Sequence, residues 1–189
     1  MKEFIKWLRG LKTSTLLLLG FFFVLLPTFL NHYEGATGTL LVAEPQVRPP
    51  FNQTVLYIRE HTLGHANGFI INVPINPQDV DFDIRPEWEG KALHYGGPVG
   101  FPDEAVFYAY KNQTDAMTIT TEMKGEPDFI ILGYAGWTVM QLNYEILRKN
   151  WHTIDYDPAL VFDMNPSLIW DHARRRVIEK VGVGDRDAF

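Results

Sequence analysis

The hydrophobic positions of the chain fall into one long run followed by many short ones. Thr13 to Leu30 is uncharged and strongly apolar, with a core of leucines and phenylalanines from Leu16 to Leu26. At ~1.5 Å per residue, a helix from Leu11 to Leu30 spans about 30 Å, the thickness of a hydrocarbon core. Downstream, Thr39-Leu40-Leu41-Val42-Ala43, Val55-Leu56-Tyr57-Ile58, Phe69-Ile70-Ile71-Asn72, Ala105 to Tyr110 and Asp128 to Gly133 are short apolar runs bounded by turn residues. These are expected as strands, and Met117 to Met123, where Thr alternates with Ile or Met, as a half-buried one. Trp137, Met140, Gln141, Tyr144 and Leu147 recur at helical spacing and predict a helix over 137–147. Asn165-Pro166 supplies an N-cap and a first-turn proline for a last helix, with Ile169, Ala173 and Val177 as its apolar stripe. Strands outnumber helices and several follow one another through turns, so the expected class is α+β with a mixed, mostly antiparallel sheet.

Charge gives the long run an expected orientation. Lys2, Lys6, Arg9 and Lys12 precede it, whereas no Lys or Arg follows until Arg48. Phe4, Trp7, Leu8 and Leu11 recur at helical spacing, so residues 1–12 read as a basic interfacial helix with Trp7 at headgroup depth. A cleaved signal peptide has a similar order, but its apolar region is shorter, ~7–15 residues. The expected organisation is therefore an interfacial helix over 1–12, a transmembrane anchor over 13–31, a linker over 32–38, a globular domain over 39–181 and a tail over 182–189. The positive-inside rule puts the N-terminus in the cytoplasm and the domain on the other side of the membrane.

Beyond residue 34 the chain carries 13 Lys or Arg and 21 Asp or Glu, a formal charge of −8. Such a domain repels phosphate backbones, and Arg174-Arg175-Arg176 would fan around a helix, so no nucleic-acid partner is expected. Asp79, Asp81 and Asp83 alternate as in a calcium loop, but Ile84 and Gly90 stand where that loop needs Gly and Glu, and no metal or cofactor is expected. No P-loop, dinucleotide fingerprint, nucleophile elbow or zinc-type cysteine set is present. On a strand, Glu60 and His61 point to opposite faces, which weakens an acid/base pairing. Gly133-Tyr134-Ala135-Gly136-Trp137 reads as a tight turn from a strand into a helix.

Several segments together resemble the YqgE/AlgH family of bacterial proteins over roughly Gly38 to Lys180. They are Leu40 to Pro45, Phe51, Val55 to His61, Ala66 to Asn72, Gly96-Gly97-Pro98-Val99, Gly133 to Trp137, Gln141-Leu142 with Glu145, and Trp151. The resemblance implies an α+β fold with a bifurcated sheet, part of it curled into a small barrel; it implies no particular activity. One member is linked to transcriptional control of exopolysaccharide synthesis. Two positions depart from the family pattern: Met140 replaces a usual Gly, and Asn143 a usual Glu. Members generally begin near the first strand, so the expected anchor is an addition; the resemblance implies a bacterial cell, hence an inner-membrane, single-pass anchor with the domain on the periplasmic side.

The expected function is a membrane-anchored, non-catalytic interaction module, an accessory subunit or assembly factor of an integral membrane protein complex, with self-association left open. Its membrane contacts would be Lys2, Lys6, Trp7, Arg9 and Lys12 against the lipid bilayer. The alternatives are an enzyme or small-ligand binder using a pocket near His61 and Trp137, and a transcriptional regulator. Glu60, His61, Asn72, Gly97, Tyr134, Trp137 and Gln141 are the candidate pocket residues, and no catalytic set is assigned.

Overall fold

The computed structural model describes residues 35–184, with side chains through residue 182. In chain order the strands are β1 (Leu40–Ala43), β2 (Val55–His61), β3 (Ala66–Ile70), β4 (Pro74–Ile75) and β5 (Leu93–Tyr95), then β6 (Val106–Lys111), β7 (Met117–Thr120), β8 (Phe129–Leu132), β9 (Ala135–Trp137) and β10 (Trp151–Ile154). Helix α1 is Gln141–Leu147 and helix α2 is Pro166–Gly184. A short 3-10 turn, Pro86–Trp88, and a π-helical turn, Ala159–Asp163, lie in the connections.

The strands form two five-stranded sheets, ordered β10-β1-β2-β3-β9 and β4-β5-β8-β6-β7. Every pairing is antiparallel except β5 with β8. The α+β class with a mixed, mainly antiparallel arrangement is therefore as the sequence predicts. All four residues of β1 and of β8 are buried, which is why both read as unbroken apolar runs rather than alternating ones. Asn165 caps α2, its Oδ1 accepting the Ser167 N–H at 3.0 Å, and Ile169, Ala173 and Val177 are buried beneath the helix. Helix α2 docks on the first sheet through Trp170, whose indole N–H donates to the Ala43 carbonyl at 2.9 Å, and through the Arg174–Glu44 ion pair.

The two sheets meet where glycines allow backbones to touch. The Ile70 N–H donates to the Gly96 carbonyl at 2.9 Å and the Gly96 N–H to the Leu132 carbonyl at 2.8 Å, while Val99 and Tyr134 exchange both N–H groups at 3.0 Å. Gly97 has φ 147, and a Cβ there would lie 2.3 Å from the Tyr134 carbonyl carbon, so no side chain fits.

Some elements differ from the sequence expectation. Strand β3 begins at Ala66, so the turn after β2 is shorter than the glycines suggest. The helix begins at Gln141 rather than Trp137, because residues 135–137 pair with β3 as strand β9, with Ala66 opposite Trp137. The helical stripe of Met140, Tyr144 and Leu147 exists but faces solvent, not core. Strands β5 and β10 carry His94 and His152 within short apolar segments, which hid them from a hydrophobicity reading.

The membrane assignment is corrected. Among the described residues no helix is long and apolar enough to cross a membrane. The longest, α2, carries Asp171, Arg175, Arg176, Glu179 and Lys180 on its length. The expected interfacial helix over 1–12, with Lys2, Lys6, Trp7, Arg9 and Lys12, and the expected anchor over 13–31 lie outside the described residues. The single-pass, inner-membrane and periplasmic assignments rested on that run alone and are withdrawn.

Gly97→Ala is expected to lower stability by about 3 kcal/mol or to prevent folding, because neither sheet can retreat from a Cβ at the crossing. Denaturant midpoints of the variant and parent chains test this; a shift within error would place the required close approach elsewhere.

Candidate functional site

The first sheet positions a cleft by curling. A flat five-stranded sheet sets its outer strands ~19 Å apart at ~4.8 Å per step. Yet Trp137 on the β9 edge and Trp151 on the β10 edge have ring centroids 6.3 Å apart, nearly perpendicular at 86°. The curl of the implied barrel thus brings opposite edges of one sheet together, although the hydrogen-bonded ladder itself stays open. Glu145 of α1 bridges the gap. Its Oε2 accepts the Trp137 indole N–H at 3.1 Å and the Trp151 indole N–H at 2.7 Å. Its Oε1 accepts the Gln141 amide at 3.1 Å, from one turn earlier on the same helix face.

Phe51 completes an aromatic wall, stacked on Trp137 at 6.4 Å and edge-on to Trp151 at 5.9 Å. Together with Gln46, Val47, Arg48, Gly136 and Asn150, these residues enclose a cleft of about 320 Å3. That lies at the low end of small-ligand pockets, roughly 300–1,000 Å3.

Both ends of α1 hold a non-glycine residue in the left-handed region. Met140 has φ 57, and the Gln141 carbonyl oxygen of the side chain accepts both the N–H and the hydroxyl of Thr138 just ahead of it. At the other end Lys149 has φ 57, with its N–H bonded to the Ile146 carbonyl at 2.9 Å and the Asn150 N–H to the Glu145 carbonyl at 3.0 Å. This is a Schellman motif with lysine where glycine is preferred. Each such residue costs roughly 1–2 kcal/mol. A glycine at position 140, which the resemblance implies as the usual residue, would remove that cost.

The seven expected pocket residues divide. Trp137 and Gln141 line the cleft. His61 lies in the same cross-strand row as Ala66 and Trp137 and on the same face, two strand spacings or ~10 Å away. It is buried, its Nδ1 accepting the Ala36 N–H at 2.9 Å. The proton of the neutral ring is thereby assigned to Nε2. Burial pushes its pKa below the ordinary 6.5, against a smaller raising effect of the hydrogen bond with Asn143. Glu60 points away from His61, into solvent, where a hydrogen bond from His65 holds its carboxyl below the usual range. Asn72 is a buried clamp: its Oδ1 accepts the Val55 N–H at 2.8 Å and its amide donates to the Gln53 carbonyl at 2.9 Å. Gly97 and Tyr134 serve the crossing of the sheets, with Tyr134 edge-on to Phe107 at 6.3 Å. Neither Glu60, Asn72, Gly97 nor Tyr134 lines the cleft.

The pocket expectation missed the other cleft residues, Phe51, Glu145 and Trp151 foremost among them. Glu145 was legible, because Gln141 and Glu145 are one helical turn apart. Phe51 and Trp151 carry no local signal, since a loop and an opposite sheet edge bring them in.

Glu145→Ala would strand two indole N–H groups and release both sheet edges. Hydrogen bonds to a charged acceptor are worth about 1.5–3 kcal/mol each, so a loss of about 3 kcal/mol or more is expected, with red-shifted tryptophan emission. Unchanged unfolding midpoints and emission would contradict the bridging role.

His61 and His94 generate a pH dependence of stability. His94 is buried with its Nδ1 2.7 Å from the Ile71 carbonyl, and burial lowers its pKa as well. The unfolded chain binds protons more readily at both positions. Their stabilisation is therefore complete above about 6.5 and lost as pH falls from there through the lower folded values. Denaturant midpoints are expected to drop between pH 7 and 5, and to drop less in His61→Gln; a flat profile would refute the assignment.

The AlgH-like family pattern matches residues 40–181. A UPF0301 protein of Pseudomonas savastanoi is 32% identical over 177 residues, covering 80% of this chain and 90% of that protein. A UPF0301 protein of Vibrio cholerae is 30% identical over 176 residues, covering 78% and 92%. The solution structure of the AlgH protein from Pseudomonas aeruginosa aligns with a TM-score of 0.59 and 26% identity, over 74% of this chain and 87% of that one. A crystal structure of a Corynebacterium diphtheriae protein shares the fold at the same TM-score of 0.59, with 23% identity over 76% of this chain and 87% of that one. With the family pattern spanning nearly all of the described domain, this chain belongs to the AlgH-like family.

Proposed function

We propose that the domain is a non-catalytic interaction module, an accessory subunit or assembly factor that docks on a partner protein through the outer face of α1. The observation that carries this reading is the apolar stripe on that helix. Val139, Met140, Tyr144 and Leu147 are 67%, 50%, 55% and 79% exposed, and 140, 144 and 147 follow helical spacing. Scattered exposed apolar residues are ordinary, but a contiguous stripe beside a cleft is a feature of interaction sites. Met140 adds weight, because it keeps an exposed apolar side chain at a backbone position that glycine would occupy without strain.

The groups near the cleft favour binding over turnover. Glu145 spends its carboxylate on two indoles and an amide, and His61 spends Nδ1 on the Ala36 N–H. With three hydrogen bonds already accepted, Glu145 is a poor general base, and the Ala36 N–H occupies the lone pair of the His61 ring. The charge of −8 beyond residue 34 also disfavours a nucleic-acid partner.

A photo-crosslinking residue in place of Leu147 is expected to trap a discrete partner in cells, whereas the same residue in place of Glu122, in the bend after β7, traps none. Met140→Gly should raise the melting temperature by about 2–4 °C, the equivalent of ~1 kcal/mol, while cutting the adduct yield severalfold. No adduct at position 147, or adducts only with a second copy of the chain, would defeat the proposal.

A further inference from the structure

We propose that the cleft between Phe51, Trp137 and Trp151 receives a cationic side chain, lysine or arginine, presented by the partner protein. The inference rests on reading the domain as an interaction module and names the chemistry that the module recognises. Its basis is the set of hydrogen-bond donors around Glu145. The carboxylate is half-buried, and its three donors, two indole N–H groups and one amide, are all neutral. Among the described residues no lysine, arginine or histidine pairs with it. Glu44 makes the contrast: more deeply buried, it is matched by Arg174 and by His152 at 2.8 Å. A carboxylate offers about four lone-pair sites, and three are taken, so Oε1 keeps one for an incoming donor.

The walls suit the same guest. Three aromatic rings with centroids 5.9–6.4 Å apart line the same cleft as the carboxylate. Aromatic faces attract cations through their quadrupoles, most strongly when water is displaced. A volume of about 320 Å3 admits one side-chain head group and excludes a large cofactor. Arg48 is the one cation on the rim; it is exposed, lies over no ring, and solvent screens it. The stripe of Met140, Tyr144 and Leu147 lies about a quarter turn around α1 from Gln141 and Glu145. The partner segment is therefore a basic residue with apolar neighbours, drawn in by the net negative charge of the domain.

The test uses the full chain and follows its indole N–H resonances by NMR during titration with acetyl-Leu-Arg-Leu-amide, its glutamine counterpart and free ethylguanidinium. The Trp137 and Trp151 signals are expected to shift with the arginine peptide, at an affinity at least fivefold above that of the glutamine peptide. Glu145→Gln retains an acceptor for the indoles and should weaken binding at least tenfold. Phe51→Leu keeps the carboxylate and should weaken binding about fivefold, which serves if the first variant folds poorly. Equal shifts by both peptides, or a Glu145→Gln affinity equal to the parent, would overturn the proposal. Ethylguanidinium binding as tightly as the arginine peptide would assign the cleft to a small cation and overturn the partner-derived side chain. Peptide failure with intact Leu147 adducts removes only the cation; loss of those adducts with peptide binding intact removes the interaction module.

Discussion

The Glu145 carboxylate holds together what the backbone ladder leaves open. A five-stranded sheet has two free edges, and here both edges end in a tryptophan whose indole N–H needs an acceptor once buried. One carboxylate oxygen serves both. A neutral acceptor would make weaker bonds, and an apolar residue would leave two buried donors unpaired. The curl of the sheet, the seat of α1 and the shape of the cleft all depend on that shared oxygen. The residue proposed to receive a cationic side chain is therefore also the one that joins the two sheet edges.

Other contacts keep this arrangement in register. Helix α2 is fastened to the outer side of β1 by Trp170 and by the Glu44–Arg174 pair. The glycine crossing at 96–97 and 133 sets the second sheet against the first with direct backbone bonds. His61 links the chain at Ala36 to the helix that carries the cleft residues, through Nδ1 on one side and Asn143 on the other. A glutamate at position 143, which the resemblance implies as the usual residue, would set a carboxylate against that ring and favour its charged form. The departures at 140 and 143 therefore sit on one helix and alter both its exposed face and its buried anchor.

The segments by which the chain resembles its family converge on the cleft. Phe51, Trp137, Gln141, Glu145 and Trp151 all belong to those segments, though they are spread across a hundred residues. Val55 to His61 and Ala66 to Asn72 supply the sheet interior and the Asn72 clamp, and Gly96-Gly97 with Gly133 supply the crossing. The shared residues thus form a scaffold and a cleft, whereas the stripe of Val139, Met140, Tyr144 and Leu147 includes the departure that this chain makes on its own account.

Local chemistry determined much of this from sequence. Unbroken apolar runs marked β1 and β8, because both faces of those strands are covered. Asn165-Pro166 marked the start of α2, because capping acts within one turn. Tertiary structure decided the remainder. Residues 135–137 became a strand because an edge of β3 was there to pair with, a partner some 70 residues distant in sequence. The stripe on α1 turned outward because Leu142 and Trp137 already fill the inner face. The cleft itself needed two opposite sheet edges and a loop to meet, and no periodicity in a linear chain encodes which edges a twisted sheet will bring together.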